Sequence, residues 1–437
     1  VLLLAGHAGV AYAMAFSQGH IEPVALAIVV GSIAAWAVAL FGLQRGTDTA
    51  VHVAQRAAWL VAMWSLTEAL WRPPGIYLRF APDGYRAFAG CAVVVVATYG
   101  LDVFHLADLP RRLAIVRRGL LFALALGMGG WLLWASPDPK IDTFPLHQQV
   151  AQALLSGKPI YEPGVVHTLE SFQNKLPVDE YTYLPFGALW TTLAYAVTHE
   201  SRWAELVGQL LGALLLWVAA RPSARVRPDG GARARVWGDL LAALLLFHPR
   251  GFFVLEQAWT EPLVLPFLGG VVVLVQKKRP IAASVCLGLV CALKQHMVLY
   301  VPFFAMLPGV GIGGVLIAGV VSLATVVPFV LQTPYGFYRG IFGLHANGPF
   351  RADALSLPAY VFTRTGFAVP TWVGFLAALG PVALLARLRR ELSPLLLASC
   401  LAFGLFYVLG RQAFCNYYYL LDATALFAAA TLDMREA

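Results

Sequence analysis

"RRLAIVRRGLLFALALGMGGWLLWASPDPKIDTFPLHQQ", residues 111 to 149, passes from four arginines through an apolar run into aspartates, prolines and a polar helix start. The apolar part, 119–135, reads as one membrane crossing. Arginines gather on the cytoplasmic flank of such segments, so the aspartates at the other end open an extracytoplasmic loop. Once this crossing is oriented, the rest of the chain follows by alternation.

Of the 437 residues, 59% are hydrophobic and 12% are charged. Soluble globular domains carry roughly 25% charged residues, about twice as many. Apolar runs of near-spanning length recur, and they predict an all-α polytopic transmembrane bundle of about 13 helices. The net charge of +8 then belongs to cytoplasmic loops, and nucleic acid is not expected as a partner. Cys91, Cys286, Cys291, Cys400 and Cys415 form no CxxC pair and fall mostly in apolar runs, so they read as small apolar residues. The chain begins at Val1 inside a hydrophobic run without a start methionine, and a trimmed N-terminus is expected.

Basic clusters stand at Arg111 to Arg118, Arg221 to Arg235, Lys277 to Arg279 and Arg387 to Arg390. With all four in the cytoplasm, crossings fall at 1–16, 23–43, 57–71, 87–106, 119–135, 203–220, 238–253, 262–276, 281–308, 310–331, 369–386, 393–410 and 417–434. Segment 281–308 is too long for one straight crossing and carries "KQH" (294–296) at its middle, which predicts two short helices meeting at the extracytoplasmic face. Segment 183–197, "YLPFGALWTTLAYAV", would reverse the 221–235 loop if it crossed, so it is expected to dip into the membrane and return. The extracytoplasmic side then receives 136–202, 255–262, the KQH point, 332–368 and 411–418. Nearly every unusual polar residue lies in these five segments, which points to a cavity opening on that face. Residues 1–110 are blander and read as accessory helices before a functional module at 118–437.

In "DPKIDTFPLHQQVAQALLSG" (138–157), Asp142 or Thr143 can cap a helix, Pro145 suits its first turn and Gly157 its end. Leu146, Val150 and Leu154 form an apolar stripe, which places this interfacial helix along the membrane surface. Asp142 is either a plain cap or a carboxylate at the cavity mouth, able to take a proton from a sugar hydroxyl. Asp138 is a second candidate, although Asp-Pro is also an ordinary turn start. His167, Glu170, Asp179 and Glu180 read as solvated loop residues without metal-ligand spacing.

Glu256, Gln257 and Glu261 sit between apolar runs, where ionisable groups by default face a bundle interior or cavity. Glu261, ahead of Pro262, can equally begin a helix. Lys294 at membrane depth needs a partner or a bound anion, either a phosphate or one of Glu256 and Glu261. His296 lies beside it. Arg351, near His345 in a loop on the same side, has the donor fork that clasps phosphate. Arg411 and Asn416 join it, next to tyrosines that suit a membrane boundary. Cations able to hold a phosphate, with a carboxylate able to activate a hydroxyl, suit group transfer from a phosphate-bearing lipid. No P-loop, GxGxxG after a strand or GxSxG elbow occurs.

The order of "IDTFPLHQQVAQALLSGKPIYEP", "YTYLPFGALW", "LEQAWTEPLVL", "KKRPIAASVCLGLVCALKQHMVLYVPFF" and "FRADALSLPAY" resembles the C-type (GT-C) membrane glycosyltransferases. Within that superfamily it is most similar to the bacterial polyprenol-phosphate-mannose-dependent mannosyltransferases. The resemblance spans roughly 118–435, with "YLP" and "KQH" where "YPP" and "KP" are common.

This resemblance implies a bacterial inner-membrane enzyme with its site on the extracytoplasmic side. A mannose-like sugar would pass from a polyprenyl-phosphate donor to a glycolipid or cell-envelope glycan. Asp142 would be the base, with Asp138 and Glu261 as alternates. Lys294, Arg351, Arg411 and His296 would hold the donor phosphate. Gln257, Glu256, His345, Tyr183 and Asn416 would line the acceptor and sugar pocket. No metal or cofactor is expected. A lipid-linked sugar flippase, or a glycan polymerase or ligase with a diphosphate-linked donor, is the alternative.

Overall fold

Each of the thirteen expected crossings holds a helix. The computed structural model describes residues 1–42, 48–106, 110–166, 180–220, 230–343 and 350–432. Nineteen α-helices lie among them, and no strand beyond one isolated bridge between His20 and Ala354. They are α1 (Leu2–Ser17), α2 (Pro23–Phe41), α3 (Asp48–Trp71), α4 (Asp83–Val103), α5 (Arg111–Ala135), α6 (Thr143–Leu155) and α7 (Pro185–Thr198). Then come α8 (Trp203–Ala219), α9 (Gly230–Leu246), α10 (Gly251–Glu256), α11 (Glu261–Gln276), α12 (Pro280–Cys291), α13 (Val301–Ala305) and α14 (Gly311–Gln332). The last five are α15 (Pro334–Tyr338), α16 (Leu357–Thr365), α17 (Trp372–Ala383), α18 (Leu392–Val408) and α19 (Cys415–Ala430).

Helices α2, α4, α5 and α14 are each long and apolar enough by themselves to cross a bilayer. Others, such as α11 and α19, have 16 residues, or about 24 Å at 1.5 Å per residue. Helix α19 is buried along nearly its whole length. Wrapped by protein, it need not match the lipid thickness by itself. Helix α14 is the opposite case: Ile312, Leu316, Val320 and Leu323 point outward, as a lipid-facing helix requires.

The irregular points have local causes. Pro249 cannot donate to a helical ladder, and the expected 238–253 helix ends at Leu246 and restarts at Gly251. The long 281–308 segment breaks after Cys291, with Lys294 in extended backbone, and continues as a 3₁₀ turn from Gln295 to Tyr300. Between α7 and α8 the chain turns through 112°. Helix α7 therefore neither extends α8 nor pairs with it as an antiparallel crossing, in keeping with the expected dip and return.

Small residues let the bundle close. Gly208 and Gly212 on α8 have the GxxxG spacing that lets membrane helices approach closely. A methyl at Gly208 would stand 2.5 Å from the Pro262 carbonyl oxygen, and one at Gly212 2.5 Å from Leu265 Cβ. This contact carries α11, and with it Glu261, against α8. One hydrophobic core runs from Leu3 through Val254 to Ala430, so α1 to α4 share it with the later helices.

Contacts between loops fall into two groups. At one end Ile21 N–H donates to the Asp353 carbonyl (2.9 Å), Arg79 N–H to that of Ala135 (2.8 Å) and Leu355 N–H to that of Ala413 (2.9 Å). The Tyr77 hydroxyl reaches the Lys140 carbonyl there (2.9 Å). At the other end Arg118 pairs with Asp239, and Gln276 reaches the Ala219 carbonyl (3.0 Å).

One expectation is corrected. The start of the apolar stripe of α6 faces protein and not lipid: Leu146 and Val150 are buried in a second core with Tyr161, Tyr181, Ala188, Phe337 and Ile341, Leu154 is partly buried against it, and the adjoining Leu155 is exposed. The stripe packs on α7 and the loop around it, because a 13-residue helix gains more from a packed protein neighbour than from lying alone at an interface.

Candidate active site

Asp142 caps α6, its Oδ1 accepting the Thr143 N–H at 2.8 Å. The Thr143 hydroxyl donates to the Gln257 carbonyl and ties this helix start to the 256–261 turn. Asp142 is half-buried, and its Oδ2 accepts no hydrogen bond from a described residue. Its surroundings push the carboxyl above the usual aspartate range: burial dominates, opposed first by the Thr143 N–H and then by the Arg351 guanidinium. The cap and a free acceptor oxygen thus coexist in one side chain.

The buried floor is built from three segments distant in sequence. Lys294 donates to Glu261 Oε1, and Asn416 Nδ2 reaches the same oxygen at 2.8 Å. Glu261 is fully buried at the start of α11, Lys294 sits in the break after α12, and Asn416 opens α19. A lysine without a partner at this depth is costly, and here Glu261 supplies the charge. Glu261 Oε2 and Asn416 Oδ1 are buried with no hydrogen-bond partner among the described residues. Above the ammonium stand two aromatic rings, Tyr417 at 5.0 Å and Tyr183 at 5.6 Å from Nζ. Burial, then the Asp142 and Glu261 carboxylates, keep the Tyr183 hydroxyl un-ionised.

His147, one turn beyond Thr143 on α6, is the histidine of the polar stretch 138–149, to which the sequence assigns a wall of the chamber but no individual role. It is fully buried, its ring lies 5.1 Å from that of Tyr183, and neither ring nitrogen has a hydrogen-bond partner among the described residues. Burial, reinforced by Lys294, lowers its pKa to about 3, so it is a neutral imidazole. Its i+4 spacing from Thr143 was the available signal.

At the rim Arg351 holds Asp353 through two parallel bonds of 2.9 Å and stacks on Phe414 at 4.4 Å. Asp353 stands in the same polar loop in the sequence, and its Arg-x-Asp spacing in a short turn permits this clasp. Arg411 lies beside Phe350 (5.3 Å to the ring) and reaches the Thr371 hydroxyl at 3.4 Å.

Other expected residues have different surroundings. Glu256 is fully buried, and its carboxylate accepts the Ile76 N–H (2.7 Å), the Tyr77 N–H (2.9 Å) and the Gln257 amide (3.1 Å). It therefore anchors the α3–α4 loop, where a methyl at Gly75 would stand 2.1 Å from its Oε1. Asp138 is exposed and paired with Lys140. His296 is surrounded by the rings of Phe403, Phe406, Tyr407 and Tyr417. His345, with His167, Glu170 and Asp179, lies outside the described residues. Glu180, expected as a solvated loop residue, is buried and paired with Arg339.

No family model and no curated protein matches the chain. Among solved structures it is similar to the crystal structure of ArnT from Cupriavidus metallidurans bound to undecaprenyl phosphate, with 17% identity and a TM-score of 0.43. The match covers 73% of this chain and 59% of that one, so the chain spans less than two thirds of that protein's length.

Proposed function

We propose that this chain is a membrane glycosyltransferase that moves a mannose-like sugar from a polyprenyl-phosphate donor to a hydroxyl of a glycolipid or cell-envelope glycan. The active site lies at the end of the bundle that carries Asp142, facing the extracytoplasmic side of a bacterial inner membrane. Residues 118–437 form the transferase module, and 1–110 support it. The observation that carries this reading is that Tyr183 lies between Asp142, with its Oδ2 unbonded among the described residues, and Lys294 at 5.6 Å from its ring, while Arg351 acts on the same Asp142 carboxyl.

Asp142 Oδ2 takes the proton of the acceptor hydroxyl. The acceptor oxygen bonds to the anomeric carbon as the bond from that carbon to the phosphate oxygen breaks, with inversion. The bonding pair leaves on the phosphate, giving polyprenyl phosphate. Lys294 carries three N–H donors, so its bond to Glu261 leaves others for a phosphate oxygen between Tyr183 and Tyr417. Arg351, held by Asp353, adds positive charge at the rim. Such fixed charges act where negative charge develops, and stabilisation of this kind usually dominates catalysis.

The flippase reading draws on a different feature: both cations already have carboxylate partners, as suits binding without chemistry. The purified chain, given polyprenyl-phosphate sugar, polyprenyl-diphosphate glycan and a glycolipid acceptor in separate reactions, decides the matter. A new glycosidic bond from the monophosphate donor is expected. Transfer only from the diphosphate donor, or donor crossing a vesicle membrane without a new bond, overturns the proposal.

A further inference from the structure

The opposite end of the bundle holds a second polar cluster that the transfer reaction does not use. It lies between the end of α4 and the starts of α5 and α9, in a partly open pocket lined by Asp102, Arg111, Ala114, Arg117, Arg235 and Asp239. Helix α5 ends at Ala135, so the pocket residues Arg111 to Arg117 stand about 27–36 Å along that helix from the segment leading to Asp142.

Four guanidiniums meet two carboxylates here. Arg117, which is buried, pairs with Asp102 at 2.6 Å and lies over the Tyr99 ring at 4.1 Å. Arg118 grips Asp239 through both oxygens, at 2.6 and 3.2 Å, and Tyr99 approaches the same carboxylate at 3.3 Å. Both acids are thereby neutralised. Arg111 and Arg235 line the same pocket and form no ion pair or hydrogen bond with a described residue. Their positive charge is left over at a site already shaped by two fixed ion pairs.

The neighbours on α5 indicate where this pocket sits. Leu113, Ile115 and Val116 are exposed apolar side chains within one turn of Arg111 and Arg117. They mark the edge of the lipid-facing belt, so the free guanidiniums stand at headgroup level. Basic pockets between membrane helices on the arginine-rich side take anionic lipid headgroups, and the guanidinium fork matches phosphate oxygens.

We propose that Arg111 and Arg235, set between the Arg117–Asp102 and Arg118–Asp239 pairs, bind the phosphate of an anionic phospholipid in the leaflet opposite the Asp142 site. The lipid would bridge α5 and α9. This inference is independent of the transferase reading.

The test uses the full chain in phosphatidylcholine nanodiscs, with and without phosphatidylglycerol. Retained lipid is read by native mass spectrometry and stability by thermal unfolding. Phosphatidylglycerol is expected to bind and raise the unfolding temperature of the wild type. In Arg111→Gln/Arg235→Gln its binding should fall about 30-fold, since each arginine near a membrane surface contributes about fivefold. Neither arginine has an ion-pair partner among the described residues, so the variant should unfold at the wild-type temperature in pure phosphatidylcholine. Ala114→Glu, which puts a carboxylate in the pocket and leaves the arginines in place, should weaken binding as well. Equal phosphatidylglycerol binding by the wild type and both variants overturns the proposal. Equal protection by inorganic phosphate in pure phosphatidylcholine overturns the lipid assignment in favour of a soluble phosphate ligand.

Discussion

Lys294 and Glu261, 33 positions apart in the chain, form a buried ion pair, and Asn416 donates to the same carboxylate oxygen at 2.8 Å. This pair joins the break after α12 to the start of α11 and sets the floor beneath Tyr183 and Tyr417. Removing one member of a buried pair strands the other. Lys294→Met should therefore lower stability by about 3–5 kcal/mol, and Lys294→Met/Glu261→Leu by much less. Thermal unfolding of the two variants checks this. If Lys294 also holds the donor phosphate, the double variant folds but binds polyprenyl-phosphate sugar poorly. Full donor binding by a folded double variant would assign the lysine a purely structural role.

Asp142 combines a cap with a free oxygen, and substitution separates the two. Asparagine caps as well as aspartate, so Asp142→Asn should keep wild-type stability. It loses the proton acceptor, and transfer should fall about 10²–10⁴-fold while donor binding survives. Asp142→Ala should lose the same activity and about 0.5–2 kcal/mol of stability. Near wild-type transfer by Asp142→Asn would remove Asp142 as the base and turn attention to Asp138, then to Glu261.

The raised carboxyl of Asp142 predicts the acid limb of the pH profile. Its folded pKa lies above the unfolded value, so the protonated form is favoured by folding. The stability it contributes is complete below the unfolded pKa and is lost as pH rises through the folded pKa. Activity runs the other way, rising through that window as Oδ2 becomes a base. Arg351 opposes the upward shift, so Arg351→Gln should move the acid limb to still higher pH. A transfer rate followed from acid to neutral pH in both proteins measures this. An unmoved limb would separate Arg351 from the base.

Cysteine labelling tests the topology in a background where Cys91, Cys286, Cys291, Cys400 and Cys415 are replaced. Cysteines at Lys278 and Arg389, in the basic loops, should react only from the cytoplasmic side. Cysteines at Asp138 and Ser156 should react only from the other side. Both groups labelling from one side would overturn the arrangement of the helices across the membrane.

Much of the bundle is legible in the chain itself. Apolar run length, proline positions and arginine bias are local quantities, and each acts at its own residue. For that reason the helices at the thirteen expected crossings, the KQH break and the turn between α7 and α8 could all be read from the chain. Asp142 as cap and Gly157 as helix end belong to the same class, with Gly157 at φ 70° in the left-handed region.

Choice of partner was a different matter. The chain left Lys294 with Glu256 or Glu261 as possible partners, and only packing selects Glu261, because Glu256 is occupied by the backbone of Ile76 and Tyr77. The α6 stripe could be read, but not what covers it, since an apolar face is equally suited to lipid or to protein. His147 becomes a neutral, unbonded imidazole only when Tyr181, Tyr183 and Lys294 close around it. Burial and pairing depend on every neighbour at once, so the helices were determined by the sequence and the partners inside the bundle were decided by the tertiary structure.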